Sequence, residues 1–457
     1  MSNSNDVFEK LVNISPNKLE LSNDSDIAVI GGGPSGSFFT YFALDFANRM
    51  DMHINIDIIE PKLFYKPGPS GCNHCGGIVS ESLVQHLSAE GIVLPTSVIR
   101  RGIESYTMHL EHGSTVIETP LREQRIASVY RGFGPKGAND DNYESFDGHL
   151  LYLCKEKGAY VINDRVKELE RHEDGIVVKC AKVEDKKYDL VVGSVGLNLN
   201  ALKLFKEINP SYIIPKTTKT HICELYMETE VIDEYFGNSM HVFLLNLPHI
   251  KFGALIPKGN YVTMVLLGDE INSKVVDSFL NAAPVNKCFP EDTSIKDLMH
   301  CQCFPSINIQ GAKSAYGDRM ILIGDSASSK LYKNGIGASY ITSKAAAKTA
   351  IFHGIAEADF GKYYQKICNQ LDFDNIIGKF IFNITTYVQK SSLLKKGLYN
   401  TVVCEQKKAR YQRRLSAILW DTFTGSAPYR DILLRGMNPK LSSSFIWNTL
   451  KGILNKT

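Results

Sequence analysis

Between residues 26 and 60 the chain alternates apolar runs with one glycine-rich turn and closes on an acid, an order that leaves few folds open. Asp26–Ile30 (DIAVI) reads as a short buried strand. GGGPSG follows, and Ser35–Met50 carries Phe38, Phe42, Phe46 and Met50 at helical spacing. His53–Ile59 (HINIDII) reads as a second strand. Gly31, Gly33 and Gly36 match G-x-G-x-x-G, with Pro34 and Ser35 inside the turn. Gly31 permits the tight turn, Gly33 lets the backbone approach a pyrophosphate, and Gly36 lets the helix pack on the strand. The helix N-terminus then faces the phosphate charge. Glu60, followed by Pro61, stands where an acid accepts the ribose hydroxyls of a dinucleotide and disfavours a 2′-phosphate. Strand, turn, helix, strand and acid together predict a dinucleotide-binding unit.

A second constellation narrows the ligand. Arg319–Ala327 (RMILIGDSA) places Gly324-Asp325 after a short apolar strand, and Asn334-Gly335-Ile336-Gly337 opens an Ala-rich helix. An Asp after a strand can hold the ribityl or pyrophosphate part of FAD. A helix N-terminus can stabilise negative charge at the flavin pyrimidine edge. Other pieces of the same kind are a helix over Phe146–Gly158, strands over Tyr160–Cys180 around Asp174-Gly175, and a strand at Tyr188–Val192. Between them, 101–129 and Glu224–Leu267 read as short strands of an antiparallel sheet, and the chain beyond Asp359 is helical. The expected architecture is α/β with an α+β insert. A discontinuous Rossmann-like FAD-binding domain (25–100, 145–215, 310–358) carries an antiparallel-sheet substrate domain (101–144, 216–309). A polar leader (1–24), an insertion loop at 132–145 and a basic helical C-terminal region (359–457) complete it.

Four segments resemble the FAD-dependent geranylgeranyl reductase family, within the larger group of aromatic hydroxylase-like flavoproteins. They are DIAVIGGGPSGS (Asp26–Ser37), CNHCGGIVSESLV (Cys72–Val84), Val129–Val166, and RMILIGDSA through GIGASYITSKAAA (Arg319–Ala347). The resemblance implies that Arg131 contacts the FAD, Val166 faces its adenine, and Asp325 binds the ribityl–pyrophosphate section. It places Gly335, Ile336 and Gly337 under the isoalloxazine, and Cys75, Gly76 and Gly77 beside it. The chain departs from the family at Lys251–Pro257 (KFGALIP), which has a single aromatic. It departs again after Asp325, where Ser-Ala-Ser-Ser runs on with no proline before Asn334.

Three readings compete for Cys72-x-x-Cys75. Zinc needs four ligands, and the only second pair is Cys301-x-Cys303, at poor spacing. A redox dithiol ordinarily sits on a helix after a strand, whereas here two glycines follow the pair. The third reading has the loop lining the flavin, with Cys75 or His74 as a proton donor. No metal is expected, and the ten scattered cysteines fit a reduced compartment better than a disulfide framework.

The leading functional expectation is reduction of a C=C bond in an apolar, isoprenoid or lipid-like substrate by hydride from non-covalently bound FAD. With no second G-x-G-x-x-G, electrons would come from transient NAD(P)H or a donor protein such as ferredoxin. The alternatives are a flavin monooxygenase or halogenase, and an electron-transfer flavoprotein without substrate chemistry. Halogenases of this group carry Trp-x-Trp-x-Ile-Pro, and the two tryptophans here, Trp420 and Trp447, stand far from Ile256-Pro257. With 44% hydrophobic and 22% charged residues the chain is not disordered, and no apolar run nears the ~20 residues that span a bilayer. A cytosolic protein is expected. From Lys379 onward stand 14 Lys or Arg against 3 Asp or Glu, and the rest carries 37 against 46. Leu393–Trp420, with Lys395, Lys396, Lys407, Lys408, Arg410, Arg413 and Arg414, is expected to present a cationic helical face to an anionic membrane surface. No nucleic-acid partner is expected.

Overall fold

The computed structural model describes residues 19–73, 75–120, 125–135 and 143–454. Residues 1–18 of the expected leader and 136–142 of the expected insertion loop lie outside the described residues, as does His74.

Ser25–Ile30 is buried along nearly its whole length because its residues are apolar on both faces. It pairs in parallel with Ile54–Ile59 on one side and Leu190–Gly193 on the other, Val29 standing opposite Ile58 and Val192. The six-stranded sheet runs Tyr316–Gly317, Met320–Leu322, Leu190–Gly193, Ser25–Ile30, Ile54–Ile59, Tyr160–Ile162. Only the first pair is antiparallel. Continuous Ile/Val/Leu runs are what a parallel sheet covered on both faces requires. Helices Pro34–Arg49 and Gly335–Phe352 pack along each other, with Phe38 and Phe42 edge-on to Tyr340 at 5.8 and 5.6 Å. A Cβ at Gly36 would lie 2.0 Å from the Gly31 carbonyl oxygen, so this close seating of helix on strand admits glycine only.

The expected strand Tyr188–Val192 divides in two. Lys186–Tyr188 joins an antiparallel meander with Ile176–Cys180 and Val166–Arg171, while Leu190–Gly193 alone enters the parallel sheet. The break falls at Asp189, whose carboxylate accepts the Asp26 amide at 2.9 Å, and Tyr188 donates its hydroxyl to Asp57 at 2.9 Å.

The second large sheet has seven strands in the order Met299–Cys303, His221–Tyr226, Tyr261–Gly268, Ile250–Lys258, Ser239–Phe243, Ser105–Leu110, Gly113–Glu118. All pairs are antiparallel except Ser239–Phe243 with Ser105–Leu110. Helix Thr229–Tyr235 stands among the short strands read from sequence over Glu224–Leu267. Both faces of this sheet are buried. On the outer face Phe243, Leu255, Val262 and Met264 pack on Val276 and Phe279 of helix Ser273–Leu280. On the inner face Phe252, Ala254 and Ile256 join a core with Leu398, Val402, Trp420 and Phe423 of the C-terminal helices. The outer core also holds His109, His241 and Cys288, all buried. Burial keeps both imidazoles neutral, pushing His109 down to about 4 and His241 to about 3.

Five helices end the described chain: Gln365–Lys390, Ser392–Gln406, Arg414–Thr424, Tyr429–Gly436 and Pro439–Leu454. The expected cationic face does not form as one continuous surface, because the helix breaks between Gln406 and Arg414 and part of its charge turns inward. Lys395 is buried against Glu111 at 2.6 Å, and Arg413 and Arg410 reach Glu118 at 2.7 and 3.7 Å. Among the described residues no helix is long and apolar enough to cross a membrane.

Candidate functional site

The carboxyl ends of the central strands open into a cavity of about 1250 Å³ that runs on to the inner face of the seven-stranded sheet. Its two ends differ in chemistry.

The sheet end is built from backbone. Helix Pro34–Arg49 starts at Gly33 without a side-chain cap, with proline in its first turn and no acid there. Helix Gly335–Phe352 likewise has no acid in its first turn. Its cap is Asn334, held at φ 53°, whose side chain takes the Gly337 amide at 3.0 Å. Gly33, Pro34, Ser35, Gly335 and Ile336 form cavity wall. Two positive helix ends with no negative side chain of their own therefore point into one space. Glu60 sits beside the first of them, accepting amide hydrogens from Gly32 and Lys62, each at 2.8 Å. Burial raises its pKa, opposed by those amides and the Lys62 ammonium. Asp325 faces Arg131 across the cavity; burial raises its pKa, and the Ser329 hydroxyl and Arg131 counter this in part.

Arg131 is gripped by Asp147, Nε to Oδ1 at 3.1 Å and Nη2 to Oδ2 at 2.9 Å. Asp147 is wholly buried in the first turn of helix Phe146–Glu156, so the pair holds Arg131 charged against the cost of burial. The same carboxylate accepts from the Asn73 amide, and Lys62 bonds the Cys72 carbonyl and the Asn73 side chain, each at 2.7 Å. The cysteine loop is thereby tied to the fingerprint. A Cβ at Gly33 would stand 3.3 Å from Arg131 Nη2, so this glycine faces the pocket rather than the sheet.

Of the residues singled out from sequence, Gly31, Glu60, Pro61, Cys75, Gly76, Gly77, Arg131, Val166 and Asp325 also lie on the cavity wall. Gly36, Gly324 and Gly337 do not. Gly36 serves helix–strand contact, Gly324 turns at φ 61° against Ser35, and Gly337 meets the Asn334 cap. His74 lies outside the described residues. Cys75 Sγ accepts the Gly77 amide at 3.3 Å. Cys301 and Cys303, on the edge strand Met299–Cys303, come within electrostatic reach of Cys72. Among the described residues, however, no three of these four thiols converge to metal-ligand distance.

The far end is built from side chains. Met240, Phe252, Ile256, Val265, Leu267 and Phe423 line it, and Gly76 approaches so closely that a Cβ there would meet Val265 at 3.1 Å. Lys333 reaches in, its Nζ 3.0 Å from the Phe252 ring centre, and burial drives its pKa well down. Beneath the loop, Lys258 is fully buried, with no hydrogen-bond partner for Nζ among the described residues. Its Nζ is 4.8 Å from the Tyr130 ring centre and 2.8 Å from where a Gly77 Cβ would be. Burial lowers its pKa and the buried Glu224 carboxylate raises it. Neither lysine was singled out from sequence. Lys333, directly before the Asn334 cap, could have been found by asking which side chain the second helix N-terminus carries with it.

The residues fit FAD on these observations: two helix N-termini without an acid in their first turn, an acid at the ribose position, and glycines along the cavity wall.

No protein-family model and no curated protein sequence matches the chain. Solved structures do. A geranylgeranyl bacteriochlorophyll reductase-like protein from Thermoplasma acidophilum superposes with a TM-score of 0.61 at 15% identity, covering 81% of this chain and 91% of that one. Halogenase PltM, solved with phloroglucinol and FAD, gives 0.58 at 11% identity over 93% and 91%. The p-nitrophenol 4-monooxygenase PnpA from Pseudomonas putida DLL-E4 gives 0.56 at 10% over 88% and 99%. The chain has the fold of these proteins, α/β with a Rossmann-like domain and a helical C-terminal region.

Proposed function

We propose that this chain is an FAD-dependent oxidoreductase that reduces a C=C bond of an apolar substrate. The observation that carries the reading is the change of chemistry along one cavity, from backbone amides and Glu60 at the sheet end to aliphatic and aromatic walls at the other. Bound FAD would supply a hydride at the junction. Glu60 would hold the adenosine ribose, and the amides of the Pro34–Arg49 N-terminus the pyrophosphate. Asp325, its pKa raised by burial, is suited to the ribityl hydroxyls. The N-terminus of Gly335–Phe352 would favour negative charge at the pyrimidine edge. Phe252, Ile256, Val265 and Leu267 exclude water from the reacting carbons. Lys333, whose Nζ stands at the apolar end of the cavity against the Phe252 ring, would protonate the second carbon from its ammonium form. NAD(P)H or a ferredoxin-like protein would deliver the electrons transiently.

Monooxygenation or halogenation is the second reading, favoured by the likeness to the monooxygenase PnpA and the halogenase PltM. Neither tryptophan here lines the cavity: Trp420 is bonded to Glu81 at 2.9 Å and Trp447 is exposed. Photoreduced protein mixed with air in the presence of candidate substrates separates the two. Slow reoxidation with saturated product supports reduction, and oxygen uptake matched to substrate consumed overturns it.

A membrane is a fitting source for an apolar substrate. Helix Gln365–Lys390 exposes Phe373, Ile376, Phe380, Ile384 and Tyr387 along one stripe, with Lys379 and Lys390 exposed nearby. This stripe, rather than the region around Lys395 and Arg413, is the surface we assign to an anionic bilayer.

A further inference from the structure

The outer face of the seven-stranded sheet holds a group of side chains that the chemistry of the cavity does not use. His109 comes from Ser105–Leu110, His241 from Ser239–Phe243, and Cys288 from just beyond the short helix Ala283–Asn286. Their exposures are 6%, 6% and 3%, under Phe236 and Phe243. The edges of the triangle they form are His109 Nε2 to His241 Nδ1 3.1 Å, His241 Nδ1 to Cys288 Sγ 3.4 Å, and Cys288 Sγ to His109 Nε2 3.7 Å.

Tetrahedral zinc with Zn–N of about 2.05 Å and Zn–S of about 2.3 Å sets its ligand atoms about 3.3 Å apart for N–N and about 3.6 Å for N–S. The observed edges match to within a few tenths of an ångström on all three sides. Hydrogen bonding alone serves these contacts poorly. The Cys288 thiol can donate to the Pro284 carbonyl at 3.4 Å, and one imidazole N–H can serve the His109–His241 contact. With His109 Nε2 as that donor and the thiol turned to Pro284, Sγ and His241 Nδ1 face each other at 3.4 Å with no proton between them. A cation answers all three lone pairs at once. His109 also has the outer partner such a ligand needs: its Nδ1 lies 2.7 Å from Ser114 Oγ, which fixes the ring with Nε2 turned toward the triangle.

We propose that His109, His241 and Cys288 bind a zinc ion. Zn²⁺ enters as the Cys288 thiol loses its proton to solvent, two neutral imidazoles and one thiolate become ligands, and nothing is oxidised or reduced. The three side chains leave the fourth tetrahedral position to a water molecule, and the role assigned to the ion is structural, because the site lies on the face of the sheet away from the cavity. His241 stands in register with Leu255, whose neighbours Ala254 and Ile256 face the cavity through the opposite side of the sheet. The metal fastens two adjacent strands to the helical layer of Ser273–Leu280 and Ala283–Asn286. Sequence spacing hides it, because the three residues come from three distant segments.

The test is metal analysis of the full-length chain, purified without chelator or metal-affinity chromatography, with flavin content measured in parallel. About one zinc per chain is expected, and cobalt substitution should give a thiolate-to-metal charge-transfer band with tetrahedral d–d intensity. Cys288→Ser and His109→Gln should each lower zinc affinity at least about tenfold, with FAD content unchanged. Cys75→Ser and Cys303→Ser should keep the zinc. Cys288→Ser changes one atom, so loss of fold in His109→Gln would still leave a readable variant. A metal-free wild type that shows no cobalt band overturns the proposal. So does zinc that survives Cys288→Ser and leaves in Cys75→Ser.

Discussion

The two ends of the cavity are held by different physics. At the sheet end the ligand-facing groups are amides of two helix N-termini, and the side chains that matter there are glycines, Glu60 and Asp325. At the far end strands Ile250–Lys258 and Tyr261–Gly268 supply side chains of one face, and helix Arg414–Thr424 closes over them with Phe423. A backbone cradle tolerates little change, because adding a Cβ fills the space the ligand needs. A side-chain wall can be recut without disturbing the cradle. Under the proposed function, the two ends would separate holding a cofactor from choosing what it reacts with.

The sharpest way to break that division is Gly33→Val. Gly33 has φ −69°, which valine adopts without strain, and the added atoms point at Arg131 and the pocket. The chain should fold and its flavin content fall to under about a tenth of wild type, read from absorbance of the purified protein. Full flavin retention would show that the fingerprint does not cradle a pyrophosphate.

Next in size is Lys333→Met, which leaves the cradle intact. Turnover should fall by about a hundredfold or more if Lys333 supplies the proton, with flavin content unchanged. The pH profile carries the sign. Burial lowers the Lys333 pKa, and a donor works only while protonated. Rate should therefore be lost as pH rises, at a lower pH than an ordinary lysine near 10.4 would give. Lys333→Arg should move that alkaline limb upward, and Cys75→Ser should leave it in place. A limb that moves with Cys75→Ser instead returns the proton to the thiol.

A smaller effect is expected where the C-terminal helices clamp the far end. Trp420 donates to Glu81 Oε1 at 2.9 Å, and Glu81 Oε2 is buried without a partner among the described residues. Trp420→Phe strips the carboxylate of that donor and should cost about 1–3 kcal/mol of stability, read as a lower Tm. An unchanged Tm would mean that water or another donor serves Glu81.

The same division governs what could be read from sequence. Gly31, Gly33, Gly36 and Glu60 lie within one strand–helix–strand unit, so local spacing carries their geometry. Asp325 and Asn334 are legible for the same reason, each following or opening a single element. Lys258 and Glu224 belong to different strands, and the metal-ligand triangle to three segments, so no periodicity marks either. The split of Tyr188–Val192 was hidden because Tyr188 is apolar enough to continue the run, while its hydroxyl bond to Asp57 and the Asp189–Asp26 contact depend on another strand. Within the expected cationic face, Lys395, Arg410 and Arg413 turn to Glu111 and Glu118, because charge counting does not see acids across the interface.

That pairing sets the mildest test. If Leu393–Trp420 were the membrane contact, seven basic residues would act together, and each contributes about 1 kcal/mol near an anionic surface. Lys395, Arg410 and Arg413 are instead engaged by acids of the Ser105–Glu118 hairpin. The exposed stripe of Gln365–Lys390 offers apolar area with two nearby lysines, so hydrophobic insertion should outweigh charge. Binding to anionic liposomes should then weaken only modestly with added salt, since apolar burial is not screened. Phe373→Glu with Phe380→Glu should abolish it while leaving turnover of a detergent-solubilised substrate intact. Binding that collapses at moderate salt and ignores the double variant would return the contact to Lys396, Lys407, Lys408 and Arg414. In that case the far end of the cavity loads from a surface held by charge alone.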